Sequence, residues 1–89
     1  MQLQFTHKAL RDLKRLRAFI AEKNPAAAQS MSQRLIKAIN ALTENPKIGR
    51  HLDELPTARE LIKDDYVVRY TQTEKAVVIL NVWHGKEDR

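Results

Sequence analysis

The chain has no cysteine, two glycines, three prolines and five aromatic residues, and no long apolar run. Without cysteine there is no disulfide framework, thiolate nucleophile or Cys-based zinc site. Two isolated glycines, Gly49 and Gly85, cannot make a glycine-rich phosphate loop. The longest uninterrupted apolar stretch, Ala76 to Leu80, is far shorter than the roughly 20 residues of a membrane-spanning helix. Met1-Gln2-Leu3-Gln4 lacks the charged and apolar regions of a secretory signal, so a cytoplasmic protein is expected, with no membrane partner. His7 and His51 join no carboxylate into a ligand spacing, and neither a metal nor a cofactor is expected.

What is present is charge and helical periodicity. The 89 residues carry 16 Lys and Arg against 11 Asp and Glu, and 43% are hydrophobic, enough for one small core and one domain spanning 1–89. The charge is uneven. Residues 1–50 hold ten basic and three acidic side chains, whereas residues 51–89 hold six basic and eight acidic. A positive face attracts nucleic acid or an acidic protein segment, and charge alone does not choose between them.

Met1, Leu3 and Phe5 alternate with polar residues, the period of a strand with one buried face. Thr6 then suits the N-cap of a helix beginning near His7. In that helix Ala9, Leu10, Leu13, Leu16 and Ile20 form an apolar stripe, with Lys8, Arg11, Lys14 and Arg15 opposite. Asn24-Pro25 ends one helix and starts the next, since proline suits a first helical position and Asn24 an N-cap. Ala28, Met31, Leu35, Ala38 or Ile39, and Leu42 carry the second stripe to about Glu44, where Asn45-Pro46 stops it. Gly49 is read as permitting a backbone turn, and residues 51–56 as an irregular loop. Three strands follow, at Ala58 to Lys63, Tyr66 to Gln72 and Ala76 to His84, separated by hairpin-length turns. The apolar run in the last predicts an interior strand covered on both faces. The reading is an α+β fold of order β-α-α-β-β-β, a mainly antiparallel sheet packed against an N-terminal helical hairpin.

Asn24-Pro25-Ala26-Ala27-Ala28, Asn45-Pro46-Lys47-Ile48-Gly49-Arg50, Arg59-Glu60-Leu61, Tyr66-Val67-Val68-Arg69-Tyr70 and Val78 through Gly85 occur in this order across the whole chain. In these segments the sequence resembles the RelE/ParE superfamily of toxins from bacterial type II toxin–antitoxin systems, whose fold has the same element order. The short helical-hairpin opening and the Trp83-His84-Gly85 ending resemble the ParE-like branch more than the RelE-like one. The ParE-like resemblance implies a DNA gyrase inhibitor neutralised by a cognate antitoxin in a hetero-oligomer. A RelE-like relation implies instead a ribosome-dependent mRNA endoribonuclease, and a third possibility is a non-toxic member that only binds an antitoxin.

Metal-independent RNA cleavage needs a base, a cation at the phosphate and an acid for the leaving oxygen. For that alternative the candidates are Arg59, Arg69, His84 and Lys86. Arg69 is better explained by solvent exposure or by a cross-strand pair with Glu60, and His84 by a local hydrogen bond at a strand end. RelE-like nucleases place a tyrosine or comparable acid–base group near the carboxy terminus; here residues 84–89 contain none, and Tyr66 and Tyr70 are read as packing residues. No catalytic residue is therefore assigned, and the protein is read as a binder rather than an enzyme. The residues expected to bind partners are Lys8, Arg11, Lys14, Arg15, Trp83, Lys86 and Arg89. Trp83 has two readings, a core aromatic beneath the helices or an anchor for a partner.

Overall fold

The computed structural model describes residues 1–85. Strand β1 (Gln2–Phe5) leads into helices α1 (His7–Lys23) and α2 (Pro25–Ala41), followed by β2 (Arg50–His51), β3 (Ala58–Lys63), β4 (Tyr66–Gln72) and β5 (Ala76–His84). The five strands form one sheet in the order β1-β5-β4-β3-β2. Every pairing is antiparallel except β1 with β5, where Gln2 to Phe5 run parallel to Ala76 to Ile79. The extra strand β2 falls partly in the segment read as an irregular loop. Its two residues pair with Arg59 and Glu60 across a register too short for any alternation to reveal.

Local chemistry sets the helix ends. The Thr6 hydroxyl accepts the Ala9 amide at 3.0 Å and donates to the Leu80 carbonyl at 2.8 Å, so one side chain caps α1 and ties it to β5. Asn24 serves both helices: its amide donates to Ile20 and its side chain accepts from Ala27 at 3.1 Å, with Pro25 at the first position of α2. Replacing Asn24 with alanine is expected to cost about 1 kcal/mol, read as a lower urea midpoint at unchanged slope. Helix α2 ends at Ala41, earlier than the periodicity suggests. Leu42 is nonetheless fully buried, because hydrogen-bonded turns carry the chain on to Asn45.

The core lies between the helical hairpin and one sheet face. Ala9, Leu16, Met31, Leu35, Ile39 and Leu42 meet Tyr66, Val68, Tyr70, Val77, Ile79 and Val82 there, with Leu3, Phe5, Leu13, Ile20 and Leu61 at its margin. Leu10, read as part of the α1 stripe, is instead 52% exposed, and Asp12 is buried. A bulge at Arg69/Tyr70 pairs Tyr70 with Ile79 and Arg69 with Asn81, leaving Leu80 unmatched. The second face of β5 is only partly covered, with Val78, Leu80 and Asn81 of intermediate exposure, unlike the strand covered on both faces that its apolar run predicts. The β3–β4 hairpin closes on Asp64 and Asp65, both at positive φ (51° and 70°), as a two-residue loop between twisted strands requires. Arg34 of α2 donates to Asp64 at 2.9 Å, fixing this hairpin to the helices.

Candidate functional site

The basic surface of α1 is organised by one acid. Asp12 is 1% exposed, and its carboxylate accepts from Lys8, from Arg15 at 2.7 Å and from the backbone amide of Val82 at 2.9 Å. The last contact explains the burial. β1 pairs with β5 only as far as Ile79, so the edge of β5 beyond that point lacks a strand neighbour. Thr6 takes the Leu80 carbonyl, Asp12 takes the Val82 amide, and Arg15 approaches the Val82 carbonyl at 3.4 Å. Helix side chains thus replace a strand, satisfying backbone groups that would otherwise be buried without partners. Lys8 and Arg15 are consequently held by Asp12, while Arg11 and Lys14 are exposed with no ion pair among the described residues.

Lys14 also borders a groove of about 290 Å³ between the two helices, with Leu13, Leu16, Met31, Leu35 and Ile36 among its lining and Arg17 beside Lys14. The groove is an apolar trough with a cationic rim on α1.

The sheet residues divide between two faces. Arg59 pairs with Tyr70 and His84 with Tyr66, in the rows that face the helices; Arg69 pairs with Asn81 and Glu60, in the rows that face away. Arg59 and His84 stand at opposite ends of β4, four residues or about 13 Å apart along the strand. Each has local engagements. Arg59 Nη1 donates to the Gly49 carbonyl at 2.9 Å; the His84 ring meets the Tyr66 ring edge-on at 5.0 Å. Arg69 donates to Glu60 from Nε (3.0 Å) and Nη2 (2.6 Å), the cross-strand pair considered from sequence, and its guanidinium lies 5.2 Å from the Trp83 ring centre. The described candidates for phosphate chemistry are not brought together. Trp83 is buried, but on the face away from the helices and outside the helix–sheet core, rather than beneath the hairpin. Lys86 and Arg89 lie outside the described residues.

Four residues organise these surfaces in ways the sequence shows only in part: the Arg69–Glu60 pair is legible there, but the second grip on Glu60 and the roles of Tyr70, Gly49 and Asp12 are not. Glu60, 6% exposed, is gripped by Arg69 and by Arg50 at 3.1 Å. The Tyr70 hydroxyl, with the whole residue fully buried, donates to the Pro46 carbonyl at 2.6 Å and accepts the Gly49 amide at 2.9 Å. Burial pushes its hydroxyl pKa up, against the opposing pull of the Gly49 amide and Arg59. Gly49 has no positive φ; glycine is needed because a Cβ would sit 2.5 Å from the Tyr70 hydroxyl. The fourth, Asp12, has a signal in retrospect: an acid one turn from Lys8 and three residues from Arg15, at the border of the apolar stripe.

For Asp12, burial raises the carboxyl pKa, but hydrogen bonds from Lys8, the Val82 amide and Arg15 outweigh it and leave the group below its ordinary value. Glu60 is shifted the same way, burial being overcome by Arg69 and Arg50. A depressed folded-state pKa contributes stability that is complete above the unfolded value and lost as pH falls through the folded one. Stability is therefore expected to be flat near neutrality and to fall below the ordinary carboxylate range, about pH 4 to 4.5. Urea midpoints measured from pH 7 to pH 3 check this, and the fall should be shallower in Asp12→Asn.

Among the described residues no group of three or more His, Asp or Glu is placed to hold a metal ion, and no helix is long and apolar enough to cross a membrane. Similarity to known proteins is consistent along the chain. A family model for the ParE toxin of the type II toxin–antitoxin system parDE matches residues 3–89. Toxin RelE1 of Caulobacter vibrioides is 36% identical over 86 residues, covering 92% of this chain and 90% of that one. Among solved structures, the chromosomal ParDE toxin–antitoxin system from P. aeruginosa superposes with a TM-score of 0.82 at 22% identity, over 94% of this chain and 95% of that one. The toxin–antitoxin complex RelBE2 from Mycobacterium tuberculosis gives 0.66 at 25% identity, over 93% and 88%. With the helical hairpin on a five-stranded sheet and a family match spanning nearly every residue, the chain belongs to the ParE toxin family of type II toxin–antitoxin systems, within the wider RelE/ParE superfamily.

Proposed function

We propose that the protein is a ParE-like toxin that inhibits DNA gyrase by binding, in the cytoplasm, and is neutralised by a cognate antitoxin. The observation that carries this reading over RNA cleavage is the separation of the cationic candidates. Arg69 is clamped on Glu60 on one sheet face, while Arg59 and His84 occupy the other face at opposite ends. General acid–base cleavage needs its groups within hydrogen-bond reach of one phosphodiester. These three would have to leave their present engagements and cross a sheet to meet.

The antitoxin is assigned to the helical hairpin. The trough between α1 and α2 offers Leu13, Met31 and Ile36 to an apolar ridge, and Lys14 and Arg17 to acidic flanks. Exposed Arg11 extends that positive rim, and such charge matching speeds encounter more than it tightens the complex. Support also comes from the solved relatives, a ParDE toxin–antitoxin system and a RelBE2 toxin–antitoxin complex.

The test is inducible expression with and without the co-expressed antitoxin, with transcript ends mapped after induction. Growth arrest relieved by the antitoxin, with messages intact, is expected. Cuts linked to codon position would support the RelE-like ribonuclease instead, and the absence of any arrest would indicate a member that only binds its antitoxin.

A further inference from the structure

At the end of β3 and β4 remote from their hairpin, a recess of about 310 Å³ is lined by His51, Thr57, Arg59, Tyr70, Thr71 and Gln72, together with Pro56. Its lining includes no carboxylate. Arg59 is fixed there by Nη1, which donates to the Gly49 carbonyl at 2.9 Å and reaches that of Lys47 at 3.5 Å. Its Nε and Nη2 make no hydrogen bond or ion pair with any described residue. His51 is its direct cross-strand neighbour and likewise has no side-chain partner among the described residues. The Tyr70 hydroxyl is fully used by Pro46 and Gly49, and the Thr71 hydroxyl donates to the Thr57 carbonyl. The donors unused among the described residues are therefore three N–H groups on Arg59, one on Nε and two on Nη2, with the His51 ring, the Thr57 hydroxyl and the Gln72 amide.

We infer that this recess binds a phosphate group, as a phosphate monoester. A guanidinium held by one nitrogen presents its remaining donors with little rotamer entropy left to lose, and its fork matches two oxygens of an oxyanion. A carboxylate has two coplanar oxygens with about four lone pairs, so once the Arg59 fork takes two it has too few, all in one plane, for His51, Thr57 and Gln72 together. A tetrahedral phosphate supplies further oxygens for them. The volume equals that of about ten water molecules, so the recess takes the phosphate with part of the group it esterifies. The site lies apart from the helical trough and does not depend on the gyrase reading.

The test is a titration of the full chain followed by backbone amide chemical shifts, at constant ionic strength. Its arms are inorganic phosphate, a nucleoside 5′-monophosphate, the same nucleoside without phosphate, and acetate. Saturable shifts at His51, Thr57, Arg59 and Gln72 are expected from both phosphates, with Kd on the order of 1 mM for inorganic phosphate and no weaker for the monoester. Arg59→Gln is expected to weaken binding about tenfold or more. Because Arg59 also ties down the Gly49 carbonyl, His51→Ala provides a second variant that leaves that tie intact, with several-fold weakening and an otherwise unchanged spectrum. The inference is overturned if phosphate gives no saturable shifts up to about 10 mM, ten times the expected Kd. It is equally overturned if acetate or the bare nucleoside binds as well as the monoester, or if His51→Ala binds phosphate like the unaltered chain.

Discussion

Replacing Asp12 with alanine is expected to destabilise the protein by about 2–4 kcal/mol. Three losses combine. The Val82 amide, buried beyond the end of β1, is left without an acceptor; the Thr6–Asp12–Arg15 seam that stands in for a strand is broken; and a small void opens under α1. The lower bound holds because Lys8 and Arg15 are 57% and 46% exposed and re-solvate once the carboxylate is gone. At about 4–8 °C per kcal/mol for a domain of this size, the melting temperature should drop by roughly 10 °C or more. Asp12→Asn retains an acceptor for Val82 and is expected to cost about half as much. Thermal unfolding of the two variants side by side checks both the size and the order.

Gly49→Ala is the second large effect, expected at about 2–3 kcal/mol from overpacking. The added methyl would meet the Tyr70 ring at 2.5 Å from its oxygen and 2.7 Å from a ring carbon, and Tyr70 cannot retreat because it is fully buried and hydrogen-bonded to Pro46. Tyr70→Phe alone is expected to cost about 1–2 kcal/mol, since it strands the Gly49 amide and the Pro46 carbonyl. The two changes should not add. Removing the hydroxyl relieves the closest contact, so the double variant is expected to be about 1 kcal/mol more stable than the sum of its parts. A denaturant double-mutant cycle gives this coupling directly; additive costs would mean that the strain falls on the ring carbons, which phenylalanine keeps, and not on the hydroxyl.

These two sites mark where sequence legibility ends. The helices were readable because apolar spacing and the Thr6 and Asn24-Pro25 caps are local signals, and β3 to β5 because Asp64-Asp65 and Thr73 to Lys75 punctuate them. Contacts between distant segments were not. Nothing near Asp12 announces that β1 stops short of Val82, so the helical wheel treated Leu10 as core and passed over the acid. Gly49 looks like a turn residue until Tyr70, 21 positions later, is seen to need the space. The cross-strand partnership of Arg69 with Glu60 was legible from hairpin register. The placement of Trp83 against Arg69 on the face away from the helices was not, since alternation gives two faces without saying which one the helices cover.

The charge asymmetry of the chain acquires a location in the structure. Arg11, Lys14 and Arg17 are exposed along α1, with Lys14 and Arg17 bordering an apolar trough, while Arg50 and Arg69 of the sheet are engaged with Glu60 and Arg59 with backbone carbonyls. In the proposed reading the helical side receives a protein segment, while Arg69 serves to hold the sheet. The measurement that tests this account most directly is supercoiling by purified gyrase in the presence of the purified toxin, run beside mRNA integrity on translating ribosomes. Loss of supercoiling that the antitoxin restores, with mRNA uncut, is the predicted result. Unimpaired supercoiling together with codon-linked cleavage, abolished by Arg69→Ala and His84→Ala, would contradict it.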